Sequence, residues 1–241
     1  MFKKYNAWKE KLPKVLAEIV DWAEVIVIAG AIAFLVDTFL IANSSVPTGS
    51  METTINAGDR VIGSRLTYNF RDPERGDVVI FKYGWRCRSC KKAYGQNPAP
   101  DECPYCGSEL HNPATVYYVK RIIGLPGDRI EIKAGGTCKQ TDIVSEAYDS
   151  VKLESDPDRE LMTAEVYVNG EKLEEDYLRE PMLYTGDMEF EVPEGEYFMM
   201  GDNRNNSLDA RYWTDSYISE DDIIANVLFR YWPITGFKVI K

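Results

Sequence analysis

The stretch from Trp22 to Ala42 restricts this chain more than any other. In these residues Glu24 and Asp37 are the only charges, and Val25 to Val36 is unbroken apolar sequence. As a helix the segment would span roughly 31 Å, about the thickness of a bilayer's hydrocarbon core. A buried core helix is the competing reading, because Asp37 is costly in lipid. A cleaved secretory signal also begins basic and continues apolar, but here the run starts late and is long. The expectation is a single-pass membrane anchor over residues 21–42. Lys3, Lys4, Lys9, Lys11 and Lys14 precede it, which puts residues 1–20 on the cytoplasmic side. Residues 43–241 then form an extracytoplasmic body at the cell membrane, with lipid as one partner.

Beyond the anchor the pattern turns short and alternating. "DRVIGSRL", "DVVIFKY", "TVYYVKRIIGL", "DRIEIK", "AEVYVNGEKL", "EYFMMGD" and "ANVLFRYWPI" are β-branched and aromatic runs, bounded by turn sequences such as "PERGD", "LPGD" and "VPEGE". Such spacing predicts a mostly β fold, an antiparallel sheet or barrel-like body with little helix. The formal charge of −11 argues against a nucleic-acid partner, which would want a basic face. Between Asp142 and Glu196 there are 18 Asp and Glu against 4 Lys and Arg, a run that reads as a solvated face.

Residues 85–112 interrupt the β pattern with "WRCRSCKKAYGQNPAPDECPYCGSELHN". Cys87 and Cys90, then Cys103 and Cys106, form two C-x-x-C knuckles, the second followed by Gly107. Four thiolates at this spacing can close a tetrahedral zinc site. Two disulfides are the alternative, which an extracytoplasmic location would permit. His111 reads as a surface residue beside a complete thiolate set, and Cys138 is the odd thiol.

"VPTGSMETTI" follows the anchor and holds Ser50 between a glycine and a methionine. It is either a turn-capping serine or a nucleophile whose base lies elsewhere. The chain has one histidine, His111, inside the cysteine segment, so a Ser-His-Asp triad is disfavoured and a paired-histidine metalloprotease is excluded. A lysine serves as base if burial lowers its pKa. In "VYYVKRIIGL" strand alternation puts Val116, Tyr118, Lys120 and Ile122 on one face and Arg121 on the other. Lys120 is thus a lone amine in an apolar row, although strand lysines commonly blunt a sheet edge or snorkel. "GDNRNNSLDARYW" adds Asp202, Asn203, Arg204, Ser207, Asp209 and Arg211 within ten positions, where Ser207 could hold the amine and Asp209 with Arg211 could brace the loop.

"PTGSMETTINAGDRVI", "RGDVVIFK", "YVKRIIGLPGD" and "GDNRNNSLDARYW" occur in the order and wording of the type I signal peptidase family, which the chain closely resembles. The resemblance covers most of the chain outside the cysteine insert and the acidic stretch. It implies a membrane-bound Ser-Lys endopeptidase that removes signal peptides from exported preproteins by cutting after small residues, with no cofactor for catalysis. By position, Ser50 is the nucleophile and Lys120 the general base. Thr48 and the Ser50 backbone N–H form the oxyanion hole, Ser207 orients the lysine, and Asp209, Arg211 and Asp202 are supporting. Met51, Tyr118 and Val119 are implied walls of the substrate pockets. Thr53 stands where the family commonly has proline, and Ala210 and Thr214 depart from its small residue and glycine. The zinc-ribbon-like insert is not a standard family part. A Ser-Lys autoprotease of the SOS-repressor type would bring a DNA-binding domain instead of an anchor. The alternative from another class is a catalytically silent, membrane-tethered zinc-ribbon binding protein on a peptidase scaffold.

Overall fold

The computed structural model describes residues 12–95, 100–110, 113–144 and 158–240. The four lysines before Lys14, His111 and part of the acidic stretch lie outside them. The chain divides into two compact units, one ending at Ile41 and the other running from Ala42 to Lys241.

The first unit is a helix, α1 (Lys14–Leu35), continued by one π-helical turn, Val36–Leu40. Together they form a segment long and apolar enough to cross a bilayer. Its apolar side chains, among them Val25, Ile26, Val27, Ile28, Ile32 and Phe34, are exposed, so protein does not satisfy them. The helix starts before the expected boundary at residue 21 because "KVLAEIVD" contains good helix formers that extend it beyond the apolar run.

The second unit contains two antiparallel sheets, in keeping with the expected mostly β fold. The larger runs β1 (Ile41–Ser45), β2 (Arg60–Ser64), β12 (Ile223–Trp232), β3 (Val78–Arg86), β5 (Ala114–Gly124), β10 (Glu196–Met200) and β11 (Tyr217–Ser219) in spatial order. Short β4 (Ala93–Tyr94) adds to β3, and β13 (Lys238–Val239) to β12. No pair closes this sheet into a barrel among the described residues. The smaller sheet holds β8 (Glu171–Lys172), β7 (Glu160–Val168), β6 (Arg129–Lys139) and β9 (Met188–Glu191).

Central strand β3 shows why "DVVIF" does not alternate with polar residues. Val79 and Phe81 enter one apolar cluster with Ile122, Phe198, Met199 and small-sheet residues such as Ile130 and Val166. Val78 and Ile80 enter a second cluster with Val46, Met51, Ile55, Val61 and Val227. A strand covered on both faces reads as a continuous apolar run.

β3 and β5 form a ladder from Val78↔Arg121 out to Arg86↔Ala114, and both cysteine knuckles lie in the connection beyond that last pair. The insert is therefore an excursion from a hairpin that already has its own register and core. Replacing residues 87–113 by an Asn-Gly turn should leave both sheets folded, with the thermal midpoint of the body within about 4 °C of the parent, equivalent to roughly 1 kcal/mol. A lost cooperative transition would show that the insert is integral to the core.

Candidate active site and thiolate cluster

Ser50 sits at a turn that apolar residues fasten to the body. Glu52 N–H donates to the Gly49 carbonyl at 3.2 Å and Ile55 N–H to the Met51 carbonyl at 2.7 Å. This puts Met51 and Ile55, both fully buried, into the second cluster while Ser50 stays half-buried. Met51, expected as a pocket wall, is thus part of the core under the turn. The physical reason is its spacing from Ile55, which puts both on the inner face of the turn.

Lys120 enters from β5, opposite Val79. Its neighbours two positions either way, Tyr118 and Ile122, pack with the first cluster, so the apolar row expected around the amine is present. Lys120 is only 3% exposed, and its Nζ lies 2.6 Å from Ser50 Oγ in hydrogen-bond contact. Desolvation lowers its pKa to about 8; Asp209 and Asp202 oppose the shift while Arg211 adds to it.

The "GDNRNNSLDAR" segment packs behind the pair. Asn203 is fully buried; its backbone N–H donates to the Ser50 carbonyl and its Nδ2 to the Gly49 carbonyl, each at 3.0 Å. Gly201 leaves no room for a side chain, since a Cβ there would lie 2.5 Å from the Ser50 carbonyl and collide with the Ser207 hydroxyl. Ser207 is buried, and its Oγ has no hydrogen-bond partner. The expected hydrogen bond to the lysine amine is therefore not formed in this structure, although an unpaired buried hydroxyl is uncommon.

The supporting acids are each held by an arginine. Arg211 donates Nε and Nη2 to the two oxygens of Asp209 at 2.8 and 2.9 Å, and Gly201 N–H adds a bond at 3.0 Å. Burial pushes the Asp209 carboxyl up, but Arg211 outweighs it and holds the group below the usual carboxylate range. Arg121, on the face of β5 opposite Lys120, donates to Asp202 at 2.9 and 2.7 Å. Thr54 also donates to Asp202, at 2.5 Å. Asp202 therefore ties β5 to the segment after Ser50.

Sequence reasoning missed a strap from the acidic stretch. Glu175 is paired with Arg204, both largely buried; Tyr177 lies under the Arg121 guanidinium at 4.0 Å and its carbonyl accepts from Thr53 at 3.0 Å. Arg179 pairs with Glu52, two residues after Ser50. Glu180 is also buried, accepting from Asn205 Nδ2 at 2.7 Å and Val144 N–H at 2.6 Å. The solvated-face reading of the stretch thus fails at Glu175 and Glu180, which satisfy buried donors. The repeated acids carried no signal to separate these from their neighbours.

A cleft of about 440 Å³ runs beside the pair, lined by the segment before Ser50, including Thr48, and by Val116 to Lys120, including Tyr118 and Val119. β10 pairs with β5 only through Arg121, Ile122 and Gly124. Among the described residues, the corresponding edge of β5 ahead of Arg121 has no strand on it, the kind of edge along which an extended peptide can add.

In the insert, Cys87, Cys90, Cys103 and Cys106 converge with every Sγ within 4.8 Å of the others. Cys87 and Cys106 stand at 3.8 Å and Cys90 and Cys103 at 3.7 Å. A disulfide requires about 2.05 Å, whereas zinc–sulfur bonds of about 2.3 Å in a tetrahedron separate sulfurs by roughly 3.8 Å. The two knuckles repeat one turn: Lys91 N–H donates to the Cys87 carbonyl and Gly107 N–H to the Cys103 carbonyl. Lys91 and Gly107 have φ of 65° and 66°. The four thiols are free and gathered closely enough to hold one tetrahedral thiophilic metal. Cys138 lies apart, against Ile143, Leu161 and Leu183.

The chain matches the family described as "Signal peptidase, peptidase S26" over residues 19–232. It is 30% identical to the "Probable signal peptidase I-2" of Synechocystis over 88% of this chain and 74% of that one. It is 27% identical to a "Signal peptidase I" of Leptolyngbya laminosa over 92% and 84% of the two chains. With a "Signal peptidase I" of Pseudomonas fluorescens it shares 32% identity over 79% and 61%. A match across most of both units, together with relatives aligned over most of their own length, makes this chain a member of the type I signal peptidase family, the serine peptidases of class S26.

Proposed function

We propose that the chain is a membrane-anchored endopeptidase that removes signal peptides from exported preproteins with Ser50 and Lys120 as its catalytic dyad. The observation that carries this reading is a buried lysine amine 2.6 Å from a serine hydroxyl at the wall of an open cleft.

A neutral Lys120 amine accepts the Ser50 proton as Oγ attacks the scissile carbonyl. The oxyanion that forms is met by the Ser50 backbone N–H and the Thr48 hydroxyl. The resulting ammonium then protonates the departing amine, and the recovered amine draws a proton from the water that hydrolyses the acyl-enzyme. Ser207 accepts a hydrogen bond from an N–H of the amine as the reaction proceeds, a role that suits its otherwise unpaired hydroxyl. Asp209, Arg211 and Asp202 hold the surrounding loops. The preprotein lies along the open edge of β5, with Tyr118 and Val119 against the small residues ahead of the cleaved bond. α1 anchors the enzyme in the cell membrane with its N-terminus cytoplasmic, and the body acts outside. Zinc bound by Cys87, Cys90, Cys103 and Cys106 organises the insert and takes no part in the chemistry.

Ser50→Ala and Lys120→Met should each lower preprotein cleavage by at least about 10³-fold, and the double variant should be no slower than either single one, because a dyad acts as a unit. Cleavage above about 1% of the parent rate in either variant sinks the assignment. Purified protein should contain about one zinc per chain held by four thiolates, and chelation should loosen the insert first, since metal binding supplies most of the folding free energy of so small a module. Metal-free protein whose cysteines resist alkylation until a reductant is added would instead establish disulfides.

A further inference from the structure

Arg86 belongs both to the insert and to the cleft. It is the last residue of β3, directly before Cys87, and pairs in register with Ala114, six residues ahead of Lys120 on β5. At about 3.4 Å per residue this places it roughly 20 Å up the strand from the dyad. It nevertheless lines the same cleft as Ser50 and Lys120, past Val116 and Tyr117. Among the described residues lining that cleft, Arg86 and Lys120 are the only ones with cationic side chains, and none is acidic.

The side chain is exposed but tethered: its Nη1 donates to the Lys91 carbonyl, in the first knuckle, at 3.1 Å. The other guanidinium N–H groups include a fork suited to a carboxylate. The remaining wall offers neutral hydroxyl, amide and apolar groups, and the chain as a whole carries −11. A cationic end on the cleft of an acidic protein selects for negative charge.

We infer that Arg86 is a specificity-determining residue that binds an acidic side chain of the preprotein about four to six residues ahead of the cleaved bond. The inference rests on the proposed peptidase reading, in which Tyr118 and Val119 meet the residues just before that bond and the upstream chain continues along β5 toward Arg86. The insert then extends substrate recognition while the dyad carries the chemistry.

The test uses the full-length enzyme in neutral detergent and preproteins that differ only by Glu, Gln or Lys at each of the fourth, fifth and sixth positions ahead of the cut. At one or more of these positions Glu should exceed Lys in kcat/KM by roughly three- to tenfold, chiefly through KM. Arg86→Gln should bring this ratio to about one and Arg86→Glu should invert it. A ratio unchanged in Arg86→Glu, or an equal loss on all three substrates, overturns the inference. An equal loss confined to vesicles containing phosphatidylglycerol would assign the arginine to lipid phosphate, and overturns it as well. Cleavage that persists in Ser50→Ala would defeat the dyad reading and the inference with it. Ser50-dependent cleavage with flat ratios defeats the inference alone.

Discussion

An ammonium at the bottom of an apolar row loses most of its hydration, and the candidate active site depends on that loss. Lys120 is placed between Tyr118 and Ile122 on a strand whose partner residue is Val79. Desolvation brings its pKa to about 8, despite the opposing fields of Asp209 and Asp202. Those acids do not cancel the shift: burial is the largest effect, and Arg211, which takes both oxygens of Asp209, adds to it. A carboxylate left unpaired near the amine would favour the charged lysine and remove the base. Burying Asp209 with its own guanidinium limits that effect.

The same pairings fix the geometry of the serine. Asn203 holds the carbonyls of Gly49 and Ser50, Asp202 connects to Thr54 and Arg121, and the Glu175–Arg204 pair fastens the segment from behind. Met51 and Ile55 anchor the turn from below. A buried ion pair contributes little net stability relative to an apolar replacement, but loss of one partner costs about 3–5 kcal/mol. These pairs are therefore better understood as fixing one arrangement of Ser50 and Lys120 than as stabilising the sheets.

How much of this was readable in the sequence follows from the range of each interaction. The apolar segment, the strands and the row around Lys120 have local signatures, because strand and helix periods act over a few residues. The cysteine set was legible through its spacing, but its state was not, because two C-x-x-C knuckles suit a metal and disulfides alike. Arg121 and Asp202 are 81 residues apart and Arg204 and Glu175 are 29 apart, and no local pattern links such partners. Glu175 and Glu180 were hidden among repeated acids. The burial of Met51 beside Ile55 was not legible either, because adjacency to Ser50 says nothing about which way a turn directs its side chains.

Burial makes Lys120 a base near neutral pH, and its titration tests this most directly. Selective labelling of lysine with ¹⁵N at Nζ, with Lys120→Met used to assign the signal, allows its titration to be followed directly. The midpoint should fall at about 8, and kcat/KM for preprotein cleavage should rise with pH through the same midpoint as the amine loses its proton. A Lys120 midpoint near 10.4, the ordinary value for a lysine in water, would contradict it.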